Sequence, residues 1–238
     1  MTPKEQNRLL EQARTWFSTV IMENHRANTE KLADLKEFQV NPFLHHYLAA
    51  FLMGEVTPQS LARVLILPRV LGTSINTSFG TAIQKFTTEV LRDVFGSTTD
   101  GIDIEFIDAL TKQKTFAQVK LGPNTINKDD VESIHGHFKK AGRLAKTNNA
   151  KLGEVCLAVG VLYGKDSDLS GHYKALKDKH RYAVYSGADF WHRLTGAADF
   201  YEKLIAVFAD VAIQADGKAL LQNVENKLSA NFNKVELL

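Results

Sequence analysis

Two acids, an amide and a lysine lie within eighteen residues of one another in GIDIEFIDALTKQKTFAQVKLGPNTINKDD, residues 101–130. Asp103 and Glu105 alternate with apolar residues in IDIEFID, and Gln118 and Lys120 alternate with them in FAQVKL. Side chains two apart on a strand share a face, so Asp103 and Glu105 point one way, as do Phe116, Gln118 and Lys120. A fold-back of the connector TKQK around Thr111 and Lys112 predicts Asp103 opposite Lys120 and Glu105 opposite Gln118. A carboxylate on one strand, facing an acid or amide two residues before a lysine on the next, suits metal-assisted phosphodiester hydrolysis. In that scheme Asp103 would supply a hard oxygen to magnesium, Gln118 an amide oxygen and Val119 a backbone carbonyl. Lys120 would hold or help deprotonate the attacking water and balance charge in the transition state. Glutamine carries no charge, which weakens such a site unless Glu105 or Glu89 compensates. An acid–lysine ladder on a half-exposed hairpin is the plain structural alternative.

Other chemistries find less support. His135 and His137 stand two positions apart in VESIHGHFKK, which on a helix points them in different directions and argues against a shared metal. His45 and His46 are adjacent and no better placed. The chain contains no phosphate-binding glycine loop, dinucleotide fingerprint, zinc-type cysteine pair or serine-hydrolase elbow. Its single cysteine, Cys156, lies in the apolar run GEVCLAVGVLYG, as a small core residue of a reduced compartment would.

The elements that must position these residues divide by period. Up to Gly96 the pattern is helical. Ala13, Trp16, Phe17, Val20 and Ile21 recur at steps of three and four, PFLHHYLAAFLMG follows, and TPQSLARVLI opens on a Thr57 cap with Pro58 in the first turn. Pro68 should end or kink that helix. SFGTAIQKFTTEVLRDVFG reads as a further helix with Ile83, Phe86, Val90, Leu91 and Val94 on its apolar side. After the hairpin, Asn127 caps a helix with Asp129 and Asp130 in its first turn, running to about Lys146. EVCLAVGVLYG suits a strand covered on both faces and RYAVYSG a further strand. ADFWHRLTG is a short helix, and helical patterns fill the chain from Ala198. The expected fold is α/β, a mixed central sheet flanked by helices with a helical amino-terminal part. It is expected as a single domain over residues 1–238, with 1–96 helical and 97–238 the catalytic core and carboxy-terminal helices.

With 29 basic against 27 acidic residues the net charge is +2, so composition does not announce a nucleic-acid binder. Distribution says more. Lys139, Lys140, Arg143, Lys146 and Lys151 follow one another, and Lys174, Lys177, Lys179 and Arg181 cluster again. Either group could track phosphates or form a solvated helix face. Arg143, Asn148, Asn149, Lys151 and Arg181 are of the types that read bases, and they serve equally for phosphate. No secretory signal or membrane span is evident, and a cytoplasmic location is expected.

The stretches FGSTTDGIDIEFID and FAQVKLGPNTINKDDVESIHGHF resemble the active-site region of type II restriction endonucleases of the PD-(D/E)xK superfamily, and more narrowly the PmeII-like group. PRVLGTSINTSFGTAIQKF and NPFLHHYLAAFL are similar to that group's helical part, and SGADFWHRLTGAADFYEKL adds to the likeness. The resemblance implies a restriction-endonuclease-like core, with Asp103 as metal ligand, Lys120 as catalytic lysine and Gln118 in the motif's acid position. Glutamine there departs from the standard pattern, although Mrr-like nucleases also carry it. The resemblance further implies magnesium, double-stranded DNA cut at a short palindrome, a GGNCC-like target, 5′-phosphate ends and a homodimer whose symmetry matches the site. Gly122, Pro123 and Asn124 would lie beside DNA, with Asn127, Lys139, Lys140 and Arg143 as further contacts. The competing expectations are a Mrr-like or repair nuclease without strict specificity, and a DNA-binding protein that does not cut.

Overall fold

A computed structural model describes residues 1–75, 79, 82, 85–147 and 155–232. Contacts divide the chain into two compact units, one of Met1–Arg14 with Ile83–Val207 and one of Thr15–Ala82 with Phe208–Leu238. Each unit thus joins segments that are distant in sequence.

The first unit carries a four-stranded mixed sheet: β1 (Ile104–Ile107), β2 (Lys114–Lys120), β3 (Val155–Val161) and β4 (Ala183–Ser186), in that spatial order. β1 is antiparallel to β2, while β2, β3 and β4 are parallel. The parallel pairs require crossovers, and the helices Lys128–Thr147 and Gly171–Asp178 supply them. Those helices cover one face through Ile134, Phe138, Tyr173 and Leu176, which pack with Phe116, Val159 and Val161. On another side the helix Gly187–Thr195 brings Phe190 and Trp191 into the core, and the Trp191 indole donates to the Leu162 carbonyl at 2.9 Å.

Glycine at position 160 is a packing requirement. A Cβ there would meet the Phe190 ring at 2.2 Å, and Phe190 is fully buried. Overpacking of this kind costs about 1–3 kcal/mol. Gly160→Ala is therefore expected to lower the urea midpoint without changing the slope; an unchanged midpoint would show that the ring has room to move.

In the second unit, Ala49, Leu61, Leu65 and Ile66 pack with Val224, Leu228 and Phe232 of the helix Gly217–Phe232. The capping box at Thr57 and Ser60 forms with Pro58 in the first turn, as the sequence suggests. Pro68 ends the α-helix Pro58–Pro68, but the chain does not turn away. It continues as a wider π-helical turn, Arg69–Ser74. A residue without an N–H drops one rung of the ladder, and a wider turn accommodates that loss. Similar π turns occupy Phe17–Met22 and Thr87–Leu91 inside stretches read as plain helix. Of the expected helix 78–96, residue Ile83 and several neighbours lie outside the described residues; Phe86, Val90 and Leu91 are buried as expected.

Candidate active site

The hairpin is built on its turn. Asp108 is buried, and its carboxylate accepts the backbone N–H groups of Leu110 at 2.7 Å and Thr111 at 3.1 Å. The Asp108 N–H donates to the Gln113 carbonyl, and Lys112 takes a positive φ of 63°. These bonds centre the turn one residue earlier than Thr111 and Lys112. The observed register pairs Ile104 with Ala117 and Glu105 with Phe116, a shift of two residues from the expected pairing. Because the shift is even, the faces are preserved: a slip of one would have put the acids on the opposite side from Gln118 and Lys120.

The corrected register brings the acid nearer the amide. Asp103 donates its backbone N–H to the Ala117 carbonyl at 3.0 Å, and its Oδ2 accepts the Val119 N–H at 2.7 Å. Asp103 therefore brackets Gln118, not Lys120. Gln118 is buried, and its Nε2 donates to the Gly101 carbonyl and contacts His137 Nδ1 at 2.8 Å. Lys120, half-buried at the end of β2, places its Nζ 3.8 Å from Asp130 Oδ1. Burial pushes the Asp103 carboxyl above its ordinary range. The Val119 N–H opposes this, and the charges of Lys120 and Arg92 act in the same opposing sense.

The remaining expected site residues fall into different settings. Glu105 faces Phe116 and is occupied by its neighbours: Ser97 Oγ and Thr99 Oγ1 donate to Oε1, and Lys114 Nζ lies 2.9 Å from Oε2. Burial pushes this carboxyl up, but the Ser97 and Lys114 contacts outweigh it and hold it below the usual range. Its work is to fasten the 97–99 segment to the hairpin. Glu89 is exposed on the π turn Thr87–Leu91, one helical turn before Arg92. Asn127 and Asp130 cap the helix Lys128–Thr147 reciprocally, each backbone N–H donating to the other's side chain. Asn124, Lys139, Lys140 and Arg143 are exposed, and Lys140 sits 3.7 Å from Asp100. Asn148, Asn149 and Lys151 lie outside the described residues.

Two residues of this cluster were not singled out from sequence. Asp130 reads as a helix-dipole acid, yet it also meets Lys120. His137 was weighed only as a partner of His135. The helix does separate the two: His135 turns to Tyr182 and His180, while His137 reaches Gln118. The signal available was the one-turn spacing of His137 from Ile134 and Ala141, core residues that fix which way the helix faces.

Asp103, just before β1, stands across the hairpin from Gln118 and Val119 of β2. Asp103 offers a carboxylate, and Gln118 offers a side-chain oxygen. The Val119 N–H points to Asp103, and in a strand the carbonyl of the same residue faces the same edge. Among the described residues no three His, Cys, Asp or Glu side chains are grouped to hold a metal. One carboxylate with neutral oxygens does not make a zinc cage. It fits a hard cation such as magnesium, which keeps waters and takes part of its coordination from substrate phosphates.

A family model described as type II restriction endonuclease EcoO109I matches residues 12–216 of the chain, a span that includes all four strands and the whole hairpin. No curated protein matches it.

Proposed function

Because the chain belongs to the type II restriction endonuclease EcoO109I family, and is a site-specific deoxyribonuclease, we propose that Asp103, Gln118 and Lys120 form its hydrolytic centre. The observation that carries this reading is the bracketing of Gln118 by Asp103 on the face that Lys120 shares. Asp103, the Gln118 side-chain oxygen and the Val119 carbonyl would hold magnesium. A bound divalent ion supplies Lewis acidity, polarising the phosphate and easing deprotonation of water. Lys120 orients the attacking water by hydrogen bonding and offsets the negative charge that builds on the phosphorus oxygens. Asp130 Oδ1 lies 3.8 Å from the Lys120 Nζ, on the helix that follows the hairpin. In-line attack leaves a 5′-phosphate and a 3′-hydroxyl.

Lys139, Lys140 and Arg143 lie along the helix whose inner face carries His137, so phosphate contacts there would position the duplex without reading its sequence. Asn124 and Asn127 follow the catalytic lysine in the loop after β2 and are exposed, as a contact to the duplex requires. The PmeII-like resemblance suggests a GGNCC-like palindrome, and a palindrome calls for a homodimer with one centre per strand. On this reading the two units of the chain form one endonuclease. No helix among the described residues is long and apolar enough to cross a membrane.

The test is incubation of the purified full chain with plasmid of known sequence, with magnesium or manganese and with excess chelator. Discrete bands that map to one repeated sequence, lost on chelation, are expected. A smear would favour a nuclease without site specificity. Intact DNA in both metals would leave a binding protein in which Gln118 marks lost catalysis.

A further inference from the structure

We propose that His137 is a positioning residue that makes Gln118 serviceable as a metal ligand, by holding its amide nitrogen so that the oxygen is the end presented beside Asp103. The inference rests on the metal reading above and concerns how this chain uses glutamine where a carboxylate would serve.

A carboxylate has two equivalent oxygens and needs no sorting of its ends. A side-chain amide has one end that attracts a cation and one that repels it. Turned the wrong way, Gln118 would aim two N–H hydrogens at the ion. The structure removes that choice twice. The Gly101 carbonyl can only accept, so the end of Gln118 against it must be nitrogen. The second amide hydrogen meets His137 Nδ1 at 2.8 Å, which then acts as acceptor and leaves the ring proton on Nε2. With both hydrogens engaged, the planar amide carries its oxygen on the side away from Gly101 and His137.

The two acceptors are themselves fixed. His137 sits between Ile134, Phe138 and Ala141 on the helix Lys128–Thr147, and those residues are packed in the core. Gly101 takes a φ of +74°, and a Cβ there would meet the His137 ring at 2.3 Å. Glycine is therefore needed both for the turn and for the closeness of the imidazole. Gly101 stands two residues before Asp103, so one short segment carries both the acceptor that sorts the amide and the carboxylate that shares its cation.

The experiment follows Mn2+ binding to the full chain by water-proton relaxation, with four proteins: unsubstituted, His137→Ala, Gln118→Glu, and the two changes together. Residues that orient ligands typically contribute about 10–100-fold to metal affinity. His137→Ala is expected to weaken Mn2+ binding by about 10-fold where residue 118 is glutamine. In the Gln118→Glu protein the same change should matter by less than about twofold, since no amide remains to be sorted. His137→Gln, whose own oxygen can take the same hydrogen, should recover most of the affinity. Nitrogen-15 spectra of the unsubstituted protein give a reading that needs no variant: Nδ1 of His137 should show an acceptor's shift, with the proton on Nε2. An equal loss in both backgrounds, or none in either, overturns the proposal and leaves the metal reading standing. If the unsubstituted chain binds no Mn2+, both fall together.

Discussion

Lys120→Ala is expected to lower the single-turnover rate of DNA cleavage by about 10³-fold, the combined scale of a lost proton-handling group and a lost charge at the transition state. Stability should hardly change. The Lys120 side chain is partly exposed, and its ion pair with Asp130 is long at 3.8 Å and worth little in such a setting. Binding of uncut DNA should also persist, because the exposed Lys139, Lys140 and Arg143 remain. Lys120→Arg is expected to recover little of the rate. A guanidinium stays protonated and spreads its charge over a planar fork, whereas a compact ammonium can approach a single water. Cleavage and filter binding measured side by side, at one salt concentration, decide the matter. A variant that cuts within tenfold of the parent would remove Lys120 from the mechanism, and one that no longer binds DNA would make its role one of attachment.

The face shared by Asp103, Gln118 and Lys120 was legible in the sequence, because period-two alternation in IDIEFID and FAQVKL fixes parity whatever the turn does. Register was not. It depends on where the chain reverses, and that is decided by Asp108, whose carboxylate is claimed by two turn amides and by Arg193, eighty-five residues further along. A contact at that separation leaves no trace in a local pattern. The same limit explains His137: its position on the helix is readable, but its meeting with Gln118 follows from the parallel crossover that lays the helix over β2. The carboxy-terminal residues packed among the helices of the second unit were likewise read only as helical. Amphipathic pattern tells a helix which face to bury and says nothing of the partner.

Removing either end of the Asp108–Arg193 pair should unfold the first unit more readily than any other side-chain truncation proposed for this chain. Asp108 is fully buried, Arg193 Nη1 lies 3.0 Å from its Oδ2, and the same guanidinium donates to Asp189 and covers the Tyr185 ring at 4.2 Å. The Arg193 carbonyl also accepts the Ala109 N–H at 2.8 Å, so helix and turn are joined through backbone as well. Breaking one partner of a buried ion pair costs about 3–5 kcal/mol, and Asp108→Ala also strips the Leu110 and Thr111 amides of their acceptor. Burial pushes the Asp108 carboxyl up, but those two amides and Arg193 outweigh it and hold it below the usual carboxylate range. A group lowered in this way contributes fully above its unfolded pKa of about 3.9 and loses that contribution as pH falls through the folded value. Urea unfolding should therefore show a large gap between Asp108→Asn and the parent at pH 7 that narrows below about pH 4. A gap of equal size at both pH values would mean that shape, not charge, holds the turn. Cleavage should fail with the fold's register: a turn centred one residue later restores the pairing of Asp103 with Lys120 and carries the carboxylate past Gln118. Any Asp108 variant that stays folded is thus expected to cut more slowly than its stability alone explains.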